Sequence, residues 1–270
     1  MEPDVMRVSD TYNMEHERRG LAVIITNTQG GVEKDGESMT DCLTQLGFEV
    51  TVYSNQTMRQ MKVLMSKVAQ SDHSTCDCFV CVILSDGGND NVKATDGTVT
   101  ISSLVAPFKG HICKSLAGKP KLFFIQASRG RELDHGVNVT NAFSVVGDDA
   151  DDDYDEVDGE SVTYKIPAGA DFLLAYSTVA GYQSPRNTIN GSCYINALCW
   201  VLKKYSTTMD LLRMLILVNK IVARRFQSQI DGRSTIPVKQ MPSFVSMLTK
   251  DLIFTPKEEV VWVRRVMEPS

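Results

Sequence analysis

The sequence predicts an α/β fold: a three-layer sandwich with a mostly parallel six-stranded sheet and helices on both faces. Three observations carry the prediction. Six short segments rich in apolar, β-branched and aromatic residues are bounded by turn residues. Amphipathic helical patterns separate them, as a parallel sheet requires. The chain has 270 residues, 43% of them hydrophobic and 23% charged, enough for one sizeable core.

The strand candidates are residues 20–26 (GLAVIIT), 49–53 (EVTVY), 79–84 (FVCVIL), 121–125 (KLFFI), 171–176 (DFLLAY) and 244–254 (FVSMLTKDLIF). A helix is expected over 57–71. Thr57 and Gln60 stand at capping-box spacing, and Met58, Met61, Leu64, Met65 and Val68 share one face. Residues 192–205 and 209–226 read as two further amphipathic helices. No internal repeat is present.

Composition excludes several function classes. The net charge is -5 and the pI about 5.4, so no basic surface recruits nucleic acid or anionic lipid. No apolar run reaches the ~20 residues of a membrane span, and the acidic start MEPDVMRVSD is unlike a signal peptide. Seven cysteines, an odd number lying mostly in apolar runs, suit reduced thiols and a cytoplasmic location. No cofactor is expected. Cys76, Cys78 and Cys81 lie near His73 but lack a fourth ligand at finger-like spacing, so they read as core or surface thiols and not as a metal site. Two Asn-x-Ser/Thr sequons, at Asn138 and Asn190, read as chance matches.

One segment departs from the rest. Residues 147–160 read GDDADDDYDEVDGE, and nine of the 13 residues from 148 to 160 are acidic. Such a run repels itself and is expected to be an exposed, protease-accessible linker.

The motifs identify a resemblance to the caspase family, of the effector type. The apolar run 122–126 leads into Gln126-Ala127-Ser128-Arg129-Gly130, where the family has Gln-Ala-Cys-[Arg/Gln/Gly]-Gly. Upstream, Leu84-Ser85-Asp86-Gly87-Gly88 stands where the family has Ser-His-Gly. Tyr12-Asn13-Met14 with 19–25, Gly118-Lys119-Pro120, Ile166-Pro167 with 170–173, Tyr176-Ser177-Thr178 and Ser246-Met247-Leu248-Thr249-Lys250 follow in family order. The resemblance implies a prosegment at 1–11, a large-subunit part at 12–146, an intersubunit linker at 147–160 and a small-subunit part of the same domain at 161–270. It implies dimerisation through the last strand. It has no reading for residues 255–270.

The resemblance also implies a degenerate site. Ser128 occupies the nucleophile position and Asp86 the base position, while Gly87 keeps the oxyanion-side glycine. A thiol of pKa about 8.5 supplies usable thiolate near neutrality, whereas a serine needs an adjacent strong base. An aspartate with an ordinary pKa near 3.9 is a weak base and does not protonate a leaving amine. His135, seven residues after Ser128, has nothing to position it. Of the family's aspartate-binding residues, Gln126 and Arg186 match. Gln29 falls where an Arg is expected, and Gln183 and Pro185 replace groove aromatics. A neutral amide cannot make the bidentate charged contact. Asp155-Glu156-Val157-Asp158 followed by Gly159 resembles an effector-caspase cleavage sequence within the linker, with the cut after Asp158. The pattern points to an inactive paralogue whose partners are an active effector-type caspase, itself, or both.

Overall fold

The computed structural model describes residues 9–27, 32–136, 166–184, 191–225, 238–257 and 265–267. The strands are β1 (Leu21–Thr26), β2 (Glu49–Ser54), β3 (Phe79–Leu84), β4 (Asn91–Ala94), β5 (Gly97–Thr100), β6 (Lys121–Gln126), β7 (Gly130–Glu132), β8 (Phe172–Tyr176), β9 (Gly181–Tyr182), β10 (Ser243–Ser246) and β11 (Arg265–Met267). The helices are α1 (Val32–Gln45), α2 (Met58–Ala69), α3 (Ile101–Val105), α4 (Cys193–Tyr205) and α5 (Leu211–Arg225).

The central sheet has the order β10-β8-β6-β3-β1-β2-β11, and every pair is parallel except β10 with β8. The six expected strands are all present. A seventh, β11, comes from the tail and pairs with the outer edge of β2. Side chains alternate strictly between two cores, because successive residues of a strand face opposite sides. Ala22, Ile24, Val80, Val82, Leu122 and Phe124 join α1, α4 and α5 on one face. Val23, Ile25, Cys81, Ile83, Phe123 and Ile125 join α2 and α3 on the other. β3 and β6 are buried at every position, as strands covered on both faces must be.

The expected helices form with nearly the expected limits. Thr57 and Gln60 close a reciprocal capping box on α2, with Gln60 N donating to Thr57 Oγ1 at 3.2 Å and Thr57 N to Gln60 Oε1 at 2.9 Å. Ser192 caps α4 by accepting from Ile195 N at 3.3 Å. Asp210 caps α5 through Leu212 N at 2.8 Å and also accepts from Leu252 N at 2.9 Å, tying the helix to the C-terminal segment.

The last strand corrects the expectation of 244–254. It covers only Ser243–Ser246. Met247 still exchanges hydrogen bonds with the start of β8. Polar groups then divert the backbone: Ser246 Oγ accepts from Leu248 N at 3.2 Å, and Tyr12 Oη accepts from Thr249 N at 2.9 Å. Thr249 and Tyr12 both donate to Asp171 Oδ1, at 2.8 and 2.7 Å.

The segments flanking the sheet are clasped at its amino-terminal end. Asp77 is fully buried and accepts from Arg19 Nη1 at 2.8 Å, Lys257 Nζ at 3.1 Å and His16 N at 2.8 Å. Arg19 Nη2 also donates to Thr255 O, and its guanidinium lies over the Phe254 ring. This carboxylate therefore ties the lead-in at 16–19 to residues 254–257. Lys121 is also buried, with its ammonium bonded to Leu116 O and Lys119 O at 3.0 and 2.7 Å and set over the Phe172 ring. Burial lowers its pKa to about 8.

Asp77→Ala leaves Arg19 buried without its counter-charge and is expected to cost about 3–5 kcal/mol in urea unfolding. Glu49→Ala, which breaks the half-exposed pair with Arg18, is expected to cost under about 1 kcal/mol. Equal losses would show that Asp77 is not the clasp.

Lys121 also gives the fold a pH signature. Between pH about 8 and the ordinary 10.5, the folded amine is largely neutral while the unfolded one still holds its proton. The unfolded state binds more protons there, so stability attributable to this group rises with pH. Relative to Lys121→Met, the wild type should gain roughly 1–3 kcal/mol from pH about 7.5 to 10 in denaturant titrations. A pH-independent difference would contradict the lowered pKa.

Candidate active site

The carboxyl ends of β3 and β6 assemble the site. These strands pair in parallel with Leu84 opposite Gln126, and Ser85 N donates to Gln126 O at 3.1 Å. Asp86 and Ser128 each follow two residues after that pair, so the register brings their loops side by side. Crevices of this kind lie beyond the carboxyl ends of parallel strands.

Gly87 is where the two loops touch. A Cβ there would lie 2.5 Å from Asn91 O, 3.0 Å from Ser128 O and 3.1 Å from the Ala127 Cβ. Only glycine allows this approach. Gly87 bridges Val92, but the bonds flanking the bridge are Lys93 N to Asp86 O at 2.8 Å and Gly88 N to Asn91 O at 3.0 Å. Neither uses the Gly87 N–H.

Arg129 staples the loops from the other side. Its guanidinium lies 4.1 Å from the Tyr176 ring centroid. Nε donates to Asn89 O at 3.2 Å, and Nη2 lies 3.7 Å from Asp90 Oδ1. The Gly130 backbone runs against Gly181, where a Cβ would sit 1.9 Å from the Gly181 carbonyl oxygen, so β7 and β9 meet without a side chain between them.

Ser128 Oγ accepts a hydrogen bond from Ser184 N at 3.1 Å. Among the described residues no imidazole or carboxylate is bonded to it. The Asp86 carboxylate is 57% exposed and lies 3.5 Å from Lys93 Nζ, so a cation stands beside the group in the base position. His73 is buried and bonded to Val68 O at 2.9 Å, and His16 is held at Asp77. His135 is exposed beyond β7.

Beneath Ser128 lies a buried amide and hydroxyl network. Gln126 Nε2 donates to Ser184 Oγ at 3.0 Å, and Gln240 Nε2 donates to the same oxygen at 3.2 Å and to Ser177 O at 2.7 Å. Ser177 Oγ donates to Ala127 O at 3.1 Å. Gln126 is thus fixed at the floor of the crevice. Gln183 turns away from it, donating through Nε2 to Arg131 O at 3.0 Å and through its backbone N to Glu132 O at 2.9 Å. Gln29, Pro185, Arg186 and the linker with Asp158 and Gly159 lie outside the described residues. Lys93, Ser184 and Gln240 escaped the sequence reading. Gln240 lies 112 positions beyond Ser128, and only the fold joins them.

Among the described residues, no cluster of three His, Cys, Asp or Glu side chains could hold a metal ion, and no helix is long and apolar enough to cross a membrane. The seven cysteines are all unpaired thiols. Burial raises the pKa of Cys76, Cys78 and Cys81, which removes them from nucleophilic chemistry at neutral pH.

Comparison with known proteins agrees with this geometry. Residues 19–253 match the caspase domain. The chain is 39% identical over 253 residues to caspase-7 of Gallus gallus, covering 90% of this chain and 79% of that one. It is 39% identical over 266 residues to caspase-6 of Mus musculus, covering 94% and 95%. Among solved structures, the crystal structure of caspase-1 from Spodoptera frugiperda superposes with a TM-score of 0.83 at 34% identity, covering 94% of this chain and 97% of that one. With its parallel sheet, its paired loops after β3 and β6 and its match from Arg19 to Ile253, the chain belongs to the caspase family.

Proposed function

We propose that this chain is a catalytically inactive caspase homologue that regulates an active effector caspase, by heterodimerisation or as a decoy. One observation carries the reading. Ser128, at the nucleophile position, is bonded to a backbone N–H and has no base among the described residues, while Asp86 faces Lys93. A serine hydroxyl without a base is a poor nucleophile, and loss of a nucleophile–base unit costs on the order of 10⁶ in rate in a serine-protease analogue. The scaffold around the site is kept. A chain that holds the family's fold without its dyad is suited to binding what the family binds.

The partner surface follows from β10. It ends the sheet, and among the described residues its outer edge is unpaired. Val245 and Met247 on this edge are 55% and 37% exposed. An apolar open edge is a template for pairing, and a second caspase-family chain satisfies it.

A second reading is weak aspartate-specific endopeptidase activity using Ser128, which the intact crevice floor favours. The two separate cleanly. Purified alone, the chain should not turn over Asp-Glu-Val-Asp substrates. Activity that vanishes in Ser128→Ala would establish the second reading. Asp86→His with Ser128→Cys should remain several orders of magnitude below an effector caspase. A lost charged contact at Gln29 costs about 2–5 kcal/mol, and the missing apolar wall at Gln183 and Pro185 roughly 1–3 kcal/mol. Effector-caspase rates from the double variant would show a competent groove.

Mixed with an active effector caspase, the chain should change that enzyme's substrate turnover and be cut after Asp158, as read by mass spectrometry. Val245→Asp should weaken association roughly tenfold or more. A chain that neither binds an active caspase nor alters its turnover, and resists cleavage, would remove the regulatory role.

A further inference from the structure

Two of the seven thiols touch, and they come from distant parts of the chain. Cys42 lies on α1 and Cys199 on α4, helices that pack against each other in one core. The Cys42 thiol donates to Cys199 O at 3.9 Å, and the two thiols are hydrogen-bonded to each other. Cys199 Sγ also lies 3.4 Å from the sulfur of Met39, which stands one turn before Cys42 on the same side of α1. Three sulfurs therefore meet where α1 meets α4, and the active site uses none of them.

The other cysteines are placed differently. Cys81 and Cys113 belong to the core across the sheet. Cys76 and Cys78 stand just before β3 and are fully buried. Cys193 opens α4, and its distance along the helix from Cys199 turns it to a different face. Within the touching pair Cys42 is fully buried, while Cys199 keeps 7% of its surface exposed. Cys199 is therefore the thiol that an oxidant in solution reaches first.

We propose that Cys42 and Cys199 form an oxidative cross-linking site, closed by hydrogen peroxide, that locks α1 to α4. The Cys199 sulfur attacks a peroxide oxygen, the O–O bond breaks, and a sulfenic acid and one water form. The Cys42 sulfur then attacks the Cys199 sulfur and displaces the hydroxyl, which leaves with the Cys42 proton as a second water. Two thiols are oxidised to one disulfide, and one peroxide is reduced to two waters. Thiols already in hydrogen-bond contact need only a small side-chain movement to bond.

The reaction is slow. The hydrogen bond to Cys42 and burial both raise the Cys199 pKa, so oxidation proceeds through a small thiolate fraction. The site answers to sustained peroxide and not to a brief pulse. Its consequence is long-range, because the two cysteines are 157 positions apart. A bond closing so long a loop removes much of the unfolded chain's freedom. It also keeps the fragments covalently joined after any single cut between the two cysteines. The inference rests on the sulfur geometry and not on the proposed regulatory role.

The test treats the full chain with hydrogen peroxide at mildly alkaline pH, alkylates the remaining thiols and digests with trypsin without reduction. Peptide 35–59 carries Cys42, and peptide 187–203 carries Cys193 and Cys199. Mass spectrometry should recover them as one linked species, two hydrogens lighter than the pair, with fragmentation placing the bond at Cys199. Dithiothreitol should separate them. Cys193→Ser should leave the link intact, and Cys42→Ala should abolish it. In urea, peroxide should raise the unfolding midpoint of the wild type by roughly 1 M and should not raise that of Cys42→Ala. If Cys42→Ala fails to fold, the peptide map of the wild type and of Cys193→Ser decides. Peptides that stay separate, or a bond at Cys193 or to any other cysteine, overturn the proposal. So does a link that appears only as protein concentration rises, because it would then join two copies. A link without a gain in midpoint would overturn the locking of α1 to α4.

Discussion

The parallel pairing of β3 with β6 is the constraint from which the site follows. Leu84 lies opposite Gln126, and both strands are buried at every position. A shift of one residue would exchange the two cores, because strand side chains alternate with period two. The register is therefore fixed by the whole hydrophobic interior. It delivers the loops at 86 and 128 to the same place whatever side chains they carry. The contact between them is backbone against backbone, at Gly87 and the Ser128 carbonyl. Arg129 adds a side chain to this lock, but that side chain holds the loop and belongs to neither half of the dyad.

The same sheet holds together the two parts of the chain that flank the acidic segment. β6 from the first part pairs with β8 from the second, Leu122 opposite Leu173. α1 packs on α4 within one core. At the far end, Asp77 receives Arg19 from the first part and Lys257 from the second. Each of these contacts is made without help from residues 147–160. Continuity of the chain through that segment is not what holds the fold, and this is the physical reason a cut there can leave the halves joined.

The sheet was legible in the sequence because its strands are nearly pure apolar runs, and α2 because its capping box and its apolar stripe agree. α1 was not. Its sequence VEKDGESMTDCLTQ includes a glycine and, among the described side chains, only Met39, Cys42 and Leu43 as buried apolar positions, so its helix depends on tertiary packing more than on local pattern. The hairpin β4–β5 is too short to stand out, and β11 lies in a stretch whose partner is 214 positions earlier at Thr51. The last strand was read too long because Leu248, Leu252 and Phe254 are apolar for another reason: they serve the core as irregular backbone. At the site, Asp86, Gly87, Gln126 and Ser128 were found through motifs. Ser184 and Gln240 carry no local signal, since a buried hydrogen-bond network is assembled by the fold.

Exposure explains how the side chains of such a site can change without loss of the structure. The side chain at 86 is more than half exposed and the one at 128 is partly exposed, so substitution there buries no charge and opens no cavity. The supporting network is different. Gln126, Ser177, Ser184 and Gln240 are buried, and removal of Gln240 or of the Ser177 hydroxyl takes the side-chain donor from the Ser177 or Ala127 carbonyl, at a cost of about 1–3 kcal/mol. Stability alone therefore preserves the floor of the crevice while leaving the reactive positions open to change. An intact floor is, for that reason, compatible with both readings of the site. Ser128 Oγ accepts from a backbone N–H, and among the described residues no base is bonded to it to receive its proton.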